Sequence, residues 1–314
     1  MSIDELKVFT GNAHPELAKK VTEYLKMPLG KSDTFEFSNE NIFTRILENV
    51  RERDVFIIQP LSSPVSKSLV ELLIMIDALK RASAKRITAV VPYYGYSRTD
   101  KKDQPRVPIT ARLVADLLTV AGAKRLLTVD LHAAQIQGFF SIPVDELTAL
   151  HLLSDYFKKK KINDLVVVAT DIGITKKARD VAARLNAPLA IMEKRRTDNS
   201  GHTESLNVIG EVEGKTALTV DDEIDTAGSL VNVAAALQRK GAKEIYACCT
   251  HPIFSSSAKQ RIAECPVKEV VVTDTVPIKD DKKLDKITIL SIAPMLGEAI
   301  HRIHTGLSIG AMFV

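Results

Sequence analysis

Short apolar runs rich in Val, Ile and Leu alternate along this chain with longer segments in which apolar residues recur every three or four positions. Short β-branched runs are typical of buried strands, whereas the longer pattern is typical of helices that bury one face. Regular alternation of the two predicts an α/β protein with mainly parallel sheets flanked by helices. The predicted strands are residues 55–58, 87–91, 126–129, 165–168, 189–192, 217–220 and 245–248.

An acidic segment separates the strand predicted at 217–220 from the helix predicted after it. Residues 221–229 read Asp-Asp-Glu-Ile-Asp-Thr-Ala-Gly-Ser, and we predict a loop there, at the carboxyl end of a strand, where open parallel sheets bind ligands. Small residues, a glycine and free N–H groups at a helix N-terminus favour a phosphate, while the carboxylates favour sugar hydroxyls or a divalent cation. The segment therefore indicates a ribose phosphate. An ordinary capped turn is the alternative, but a cap needs only one acidic residue.

The two halves of the chain resemble each other. A shift of 119 positions aligns Gly-Ala-Lys at 122–124 with Gly-Ala-Lys at 241–243, and His132 with His251. We interpret this as a diverged internal duplication. The same shift matches the acidic segment to part of a basic segment, residues 93–108. A polar loop of this length is usually a lid or binding loop, and its cations suit a second, more highly charged anion; a solvated surface loop is the alternative.

Composition narrows the class of protein. The chain has 314 residues, enough for two domains, with a net charge of +4 and no tryptophan. No apolar run approaches the roughly 18 residues of a membrane span, so we expect a cytoplasmic protein without membrane partners. The small charge and scarce aromatic residues argue against nucleic acid as a partner. Neighbouring Cys248 and Cys249 should point to opposite faces of a strand and Cys265 is isolated, so we expect no zinc site or disulfide framework.

Further candidate site residues follow predicted strands. His132 comes shortly after 126–129, and Asp171 follows 165–168. A neutral imidazole and a carboxylate can hold or orient hydrated Mg²⁺, although a single His after a strand is more often a structural hydrogen-bonding residue. Basic residues at 194–196 precede 197–203, a stretch without apolar anchors. We predict a mobile flap whose cations reach charge developing between substrates; a basic surface turn is the alternative.

Together these residues resemble the class I ribose-phosphate diphosphokinase (PRPP synthetase) family. The resemblance runs along nearly the whole chain, and its longest segments are residues 71–85, 130–140 and 241–252. It implies two phosphoribosyltransferase-like domains, 1–147 and 148–314. It also implies that a C-terminal helix at about 293–304 packs back on the first domain, and that dimers assemble into a hexamer.

The resemblance implies an activity and assigns residues to it. The family transfers the diphosphoryl group of MgATP to the anomeric hydroxyl of ribose 5-phosphate, giving PRPP and AMP for nucleotide biosynthesis. The implied catalytic residues are Lys194 and Arg196, and the implied Mg²⁺ residues are His132 and Asp171. The implied ribose 5-phosphate residues are Arg196, Asp221, Asp222, Asp225, Thr226, Ala227, Gly228 and Ser229. The implied ATP residues are Arg98, Thr99, Lys101, Lys102, Asp103 and Arg106 in the lid 93–108, with Phe37, Asn39, Glu40 and Asn41 completing the adenine pocket of a neighbouring subunit.

Several positions depart from the family's usual pattern. Asn41 stands where Glu is usual, Thr99 where Gln is usual, and Glu223 where an apolar residue is usual. In the regulatory site for phosphate or ADP, Asn49 and Gly310 stand where serines are usual. The matching Arg51, Asp145 and Ser308 are present, so we predict weakened or altered regulation.

Two alternative functions stay open at this point. The departures would fit a catalytically silent regulatory subunit, although the charged site residues are all present and favour an active enzyme. The acidic segment alone would fit a phosphoribosyltransferase that consumes PRPP. A second domain with a basic loop favours the synthetase instead.

Overall fold

The computed structural model describes residues 5–196 and 204–313, and the side chains of 194–196 and 204–205 lie outside that description. Every strand predicted from an apolar run is present, and each is longer than predicted by at least one residue. The strands are β1 (Leu6–Thr10), β2 (Ser32–Glu36), β3 (Ile42–Ile46), β4 (Asp54–Ile58), β5 (Arg86–Val91), β6 (Arg125–Val129), β7 (Val144–Leu147), β8 (Leu165–Ala169), β9 (Leu189–Arg196), β10 (Glu204–Ile209), β11 (Thr216–Ile224), β12 (Glu244–Pro252), β13 (Glu269–Thr273) and β14 (Ile287–Leu290).

Helices occupy the segments with the longer apolar period. In the longest of them, the buried residues recur every three or four positions, as a helix packed by one face requires. Within the described residues the α-helices are α1 (Pro15–Tyr24), α2 (Val65–Arg81), α3 (Thr110–Ala121), α4 (Leu150–Lys160), α5 (Thr175–Leu185), α6 (Gly228–Arg239), α7 (Ala258–Glu264) and α8 (Ala293–Thr305). None of the described helices is long and apolar enough to span a bilayer.

The chain forms two compact units. Unit 1 comprises Met1–Leu147, Thr275–Pro277 and Ser291–Val314, and unit 2 comprises Thr148–Asp274 and Ile278–Leu290. Helix α8 therefore belongs to unit 1, where it packs on α1.

Unit 1 is built on a five-stranded sheet with the order β1-β4-β5-β6-β7, in which all pairs are parallel. Strand β4 is buried at all five positions, because helices cover both faces of a parallel sheet. This explains why its residues 55–58, after Asp54, form a continuous apolar run rather than an alternating one. Strands β2 and β3 form a separate antiparallel ribbon.

Unit 2 is built on a seven-stranded sheet with the order β10-β9-β8-β11-β12-β13-β14. All pairs are parallel except β9 with β10. Cys248 and Cys249 of β12 lie in the hydrophobic clusters on opposite faces, as predicted. Both thiols are free, and burial raises the pKa of each, so neither is poised as a nucleophile.

Both units share a strand–loop–helix–strand order. In unit 1, β5 leads through residues 92–109 to α3 and then β6; in unit 2, β11 leads through 225–227 to α6 and then β12. The aligned Gly-Ala-Lys segments follow the two helices and precede the two following strands. The fold is therefore the predicted α/β architecture of two phosphoribosyltransferase-like domains, with a long loop in one and a short one in the other.

A buried polar cluster attaches α8 to the sheet of unit 1. Asp54 of β4 is 2% exposed and His304 of α8 is 3% exposed, and His304 Nδ1 lies 2.8 Å from Asp54 Oδ2. Arg86 of β5 donates through both Nε and Nη2 to the same carboxylate, and Nη2 also donates to the carbonyl of Ile303 at 3.2 Å. The Asp54 carboxylate thus joins two neighbouring strands to the helix.

Candidate functional site

The acidic segment 221–229 was predicted to be a loop, but only part of it is one. Strand β11 continues through Ile224, so Asp221, Asp222 and Glu223 are strand residues, and the connection to α6 is only 225–227. Pairing with β12 continues to Pro252, and Glu223 lies opposite His251. The additional pairing with β12 supplies backbone hydrogen bonds, and these bonds outweigh the preference of Asp for turns. The carboxylates are therefore held on a rigid element.

Burial and neighbouring carboxylates act strongly on the Asp221 side chain of this strand. Its Oδ2 accepts a hydrogen bond from Thr170 Oγ1 at 2.8 Å, and its Oδ1 accepts one from the backbone N–H of Asp222 at 2.9 Å. Burial raises the pKa of Asp221 well above its ordinary value of 3.8, and the carboxylates of Asp222 and Asp171 raise it further. Hydroxyl donors or a cation would relieve this penalty, so the site favours such ligands.

The connection from β11 to α6 has the geometry of an anion site. Ala227 has a left-handed φ of 60° directly before the first helical residue, Gly228, and no side chain caps the first turn. A left-handed residue followed by a helical one turns successive N–H groups toward one point, and the helix dipole adds to their positive potential. A non-glycine residue in this conformation is strained, and such strain concentrates at functional sites. The geometry suits the phosphate predicted from the sequence.

The segment between β12 and α7 braces this connection, which the sequence did not predict. The N–H groups of Phe254 and Ser255 donate to the carbonyls of Ile224 and Asp225 at 3.1 and 3.0 Å. Ser255 Oγ also donates to the Asp225 carboxylate. The available sequence signal is indirect: β12 is the next strand after β11 and pairs with it in parallel, so the carboxyl ends of both lie at the same edge of the sheet.

Asp171 lies after β8, at the same edge of the sheet. Its Oδ1 accepts a hydrogen bond from the N–H of Ile174 at 3.0 Å, at the start of α5. Within the described ranges no three His, Cys, Asp or Glu side chains form a metal-binding group. Mg²⁺ is commonly held by one or two carboxylates together with substrate phosphates, so the site does not need three protein ligands.

The sequence predicted that Lys194 and Arg196 come after a strand, but both residues belong to the strand itself, β9. Their backbones pair with Leu206 and Glu204 of β10. The predicted catalytic side chains of both residues, and the predicted flap 197–203, lie outside the described part of the chain. The predicted strand ended at residue 192 because the remaining residues of β9 are charged, and the prediction relied on apolar residues.

The basic segment of unit 1 is an irregular loop with buried anchors and exposed cations. Tyr94 is buried and its hydroxyl donates to the carbonyl of Ala111 at 2.9 Å; the buried carboxylate of Asp100 accepts from Gln135 Nε2 at 2.8 Å. These contacts anchor the start and the middle of a surface loop. The predicted ATP-binding side chains of the loop are all exposed: Arg98, Thr99, Lys101, Lys102, Asp103 and Arg106.

The other predicted ATP segment is the turn of the β2–β3 ribbon. The Phe37 N–H donates to the Asn41 carbonyl at 2.9 Å, which places Asn39 and Glu40 at the tip. Phe37 packs with two other partly exposed rings, Phe35 and Phe43, with ring centroids 5.1 to 5.8 Å apart. Phe37 itself is 49% exposed. An exposed aromatic cluster is unusual for a surface and marks a contact surface for a base or a protein.

A polar network that no sequence pattern predicted anchors this ribbon. Asn12 Nδ2 donates to the Thr34 carbonyl of β2 and to the Glu71 carboxylate, each at 3.0 Å. Glu71 is buried and also accepts from Gln59 Nε2 at 2.9 Å. The predicted magnesium residue His132 lies in unit 1 as well, exposed just after β6.

Two phosphoribosyltransferase-like domains with a phosphate-type loop and a basic loop define a class of protein that handles phosphorylated sugars. Residues 6–122 match the N-terminal domain of ribose phosphate pyrophosphokinase, and residues 198–314 match the phosphoribosyl synthetase-associated domain. A ribose-phosphate pyrophosphokinase of Caldanaerobacter subterraneus is 53% identical over 99% of this chain and 98% of the relative, and one of Fusobacterium nucleatum is 48% identical over 100% and 99%. The phosphoribosylpyrophosphate synthetase structure from Mycobacterium smegmatis has a TM-score of 0.92 at 45% identity, covering 96% of this chain and 99% of that one. The chain belongs to the ribose-phosphate pyrophosphokinase family.

Proposed function

We propose that this chain transfers the diphosphoryl group of ATP to the anomeric hydroxyl of ribose 5-phosphate, forming PRPP and AMP for nucleotide biosynthesis. The observation that carries the proposal is the row of carboxylates on β11, of which Asp221 is half-buried and Asp222 and Glu223 are buried, directly before the uncapped N-terminus of α6. Carboxylates accept hydrogen bonds from sugar hydroxyls, while helix N–H groups bind phosphate. One short segment thus matches both ends of a ribose phosphate.

Unit 2 supplies the ribose 5-phosphate residues in this proposal. Asp221, Asp222 and Asp225 bind the ribose hydroxyls, and Arg196 adds a positive charge. Ser255 holds the Asp225 side chain, which keeps its orientation fixed before the sugar binds. The phosphate lies on the residues Thr226, Ala227, Gly228 and Ser229.

Unit 1 supplies the ATP residues. The exposed cations of the loop 93–108 hold the phosphate chain, because guanidinium and ammonium groups complement its charge. The ribbon turn with Phe37 and Asn41 completes the adenine pocket of a neighbouring subunit, so the active form is a homo-oligomer built from dimers into a hexamer. We place the protein in the cytoplasm, where ATP and sugar phosphates are available.

Mg²⁺ fits the donors of the site. The carboxylates of Asp171 and Asp221 are oxygen ligands of the kind this ion prefers. Burial, and after it the carboxylates of Asp222 and Asp171, raises the pKa of Asp221, and a bound cation would offset this penalty on the charged form. We propose that the Asp171 carboxylate and the His132 imidazole hold the Mg²⁺ ion. When bound, Mg²⁺ neutralises charge on the phosphate chain of ATP.

The reaction needs positioning rather than a protein nucleophile. The anomeric oxygen attacks the β-phosphorus of ATP, and the bond from this phosphorus to the oxygen bridging to the α-phosphate breaks, releasing AMP. The protein lowers the barrier by fixing the hydroxyl in line with the breaking bond and by stabilising the charge that develops. Lys194 and Arg196 are proposed to supply that stabilisation.

A product assay tests the proposed function. The purified full chain, given MgATP and ribose 5-phosphate, should form AMP and PRPP in equal amounts, with no AMP when the sugar phosphate is omitted. Absence of turnover despite ligand binding would favour the silent regulatory subunit. Consumption of PRPP only in the presence of a nucleobase would favour the phosphoribosyltransferase.

We predict that regulation by phosphate and ADP is weaker than in relatives with serines at both regulatory positions. Asn49 uses its side-chain oxygen to accept from the Arg51 N–H at 3.1 Å, and Gly310 has no hydroxyl to offer an anion. Activity titrated with each effector should show weak activation by phosphate and inhibition by ADP that simply competes with ATP. Asn49→Ser with Gly310→Ser is the matched variant, and it should strengthen both responses. Strong activation and cooperative inhibition of the unmodified chain would contradict the prediction.

A further inference from the structure

We propose that Arg261 of α7 is a specificity-determining residue that recognises the phosphate of the sugar substrate. The inference rests on the proposed function and adds a residue from outside the acidic segment. Its starting point is a single contact: Arg261 Nη1 donates to the carbonyl of Thr226 at 2.9 Å.

This contact places the guanidinium beside the start of α6. A Cβ built on Gly228, the first helical residue, would lie 3.6 Å from the same Nη1 atom. The charge therefore lies next to the N–H groups that the uncapped helix presents. A phosphate bound by those groups would lie beside the guanidinium, whose planar arrangement of donors matches phosphate oxygens.

Arg261 has donors to spare. Its side chain carries five N–H donors, and the Thr226 carbonyl is its one hydrogen-bond acceptor within the described residues. Among the described residues, Arg261 forms no ion pair with a carboxylate. The exposed Arg184 of α5, in contrast, pairs with Asp155. The guanidinium is thus available to an anion.

The charge of the acidic segment explains why a cation is needed. Asp221, Asp222 and Asp225 lie within a few residues of the proposed phosphate position, and residues 225–229 contain no basic side chain. A helix N-terminus contributes only about half an elementary charge, whereas a sugar phosphate carries nearly two negative charges at neutral pH. Arg261 offsets part of this difference, so the site selects sugars that carry a terminal phosphate.

A purely structural role for Arg261 would be to hold the Thr226 carbonyl. Two substitutions separate that role from phosphate recognition. Arg261→Gln keeps a side-chain N–H donor and removes the charge, while Arg261→Ala removes both. Lys259→Ala is the matched control, because Lys259 lies on the same helix, is exposed and donates to one carbonyl, that of Asp281.

The experiment is calorimetric titration of the full chain with ribose 5-phosphate, in the presence of Mg²⁺ and α,β-methylene ATP, which cannot release AMP. Arg261→Gln should weaken ribose 5-phosphate binding by about tenfold, the lower range for a charge-assisted hydrogen bond. It should also reduce the salt dependence of that binding, since one charge pair is lost. Lys259→Ala should leave both unchanged. In steady-state assays Arg261→Gln should raise KM for ribose 5-phosphate far more than it lowers kcat.

Equal binding of ribose 5-phosphate by Arg261→Gln and the unmodified chain would overturn the inference. So would weak binding by Arg261→Ala that Arg261→Gln fully restores, since this would assign Arg261 to holding Thr226. If the unmodified chain itself binds no ribose 5-phosphate, the proposed function fails and the inference fails with it. That result is distinct from the first two, because it appears before any substitution is made.

Discussion

Asp221→Asn is expected to make the protein more stable at neutral pH and to remove most of its activity. In the free protein, ionisation of Asp221 is opposed by burial and by the neighbouring carboxylate of Asp222, which together raise its pKa well above 3.8. An amide of nearly the same shape carries no charge, so the substitution should add about 1–2 kcal/mol to the free energy of unfolding. The same change removes a charged acceptor for ribose hydroxyls and should lower kcat/KM for ribose 5-phosphate by about 30- to 150-fold.

The pH dependence of the stability change follows from the direction of the pKa shift. A carboxyl group with a raised pKa in the folded state is favourable when protonated, below its unfolded value of 3.8, and becomes unfavourable as the pH rises through its folded pKa. The advantage of Asp221→Asn should therefore be absent near pH 4, grow as the pH rises, and level off above the folded pKa. Thermal denaturation between pH 4 and 8, without Mg²⁺ or substrates, measures it.

Asp155→Asn provides the control for this substitution. Asp155 is an exposed carboxylate of unit 2 paired with Arg184, and its removal should change stability by less than about 1 kcal/mol. A lower stability of Asp221→Asn at pH 7.5 would mean that Asp221 is stabilised in its charged form, and would contradict the prediction.

Asp54→Ala is expected to destabilise the protein by about 3 kcal/mol. The substitution leaves the buried His304 ring without its carboxylate and removes both carboxylate oxygens that accept from Arg86. Breaking a buried pair by removing one partner costs about 3–5 kcal/mol. We expect the lower end of that range, because the Arg86 side chain is 32% exposed and water can solvate it. Urea denaturation of the full chain measures the change.

The comparison for Asp54→Ala is Asp77→Ala. Asp77 pairs with Arg81 four residues later on the surface of α2, where such a pair contributes about 0.3–0.5 kcal/mol. Similar losses in the two variants would show that the cluster around Asp54 contributes no more than a surface ion pair. A loss of α8 packing in Asp54→Ala should also appear as faster amide exchange in that helix.

The sequence predicted seven strands of the two sheets, because two-sided burial makes such strands apolar runs, but it did not predict β1, β7, β10, β13 or β14. Strand β4 is buried at every position, so residues 55–58, which follow Asp54, form a continuous apolar run. The same logic failed at Asp221 to Glu223 and at Lys194 to Arg196, where strands continue through charged residues. In these places pairing with a neighbouring strand decides the structure, and a local sequence pattern contains no information about that pairing.

The candidate site was predictable in part for a similar reason. The phosphate-type connection is local: a carboxylate row, small residues and a helix start within nine residues. The supports of this connection are not local, since Ser255 and Arg261 contact residues 30 and 35 positions away. Glu71 lies 59 residues from Asn12, its partner beneath the ribbon. Only the folded chain brings such residues together.

The placement of α8 has a consequence for the order in which the protein is made. Unit 1 starts with β1, but its Asp54 carboxylate meets His304 only after the whole of unit 2 has left the ribosome. Until then the face of α1 that carries Tyr24 lacks its partner, Gly297 of α8. All residues of unit 2 precede Ser291 in the chain, so unit 2 can complete its sheet before α8 is synthesised. The unit that is synthesised first is therefore the one that finishes folding last, and during that interval it is the part of a nascent chain most exposed to chaperones and proteases.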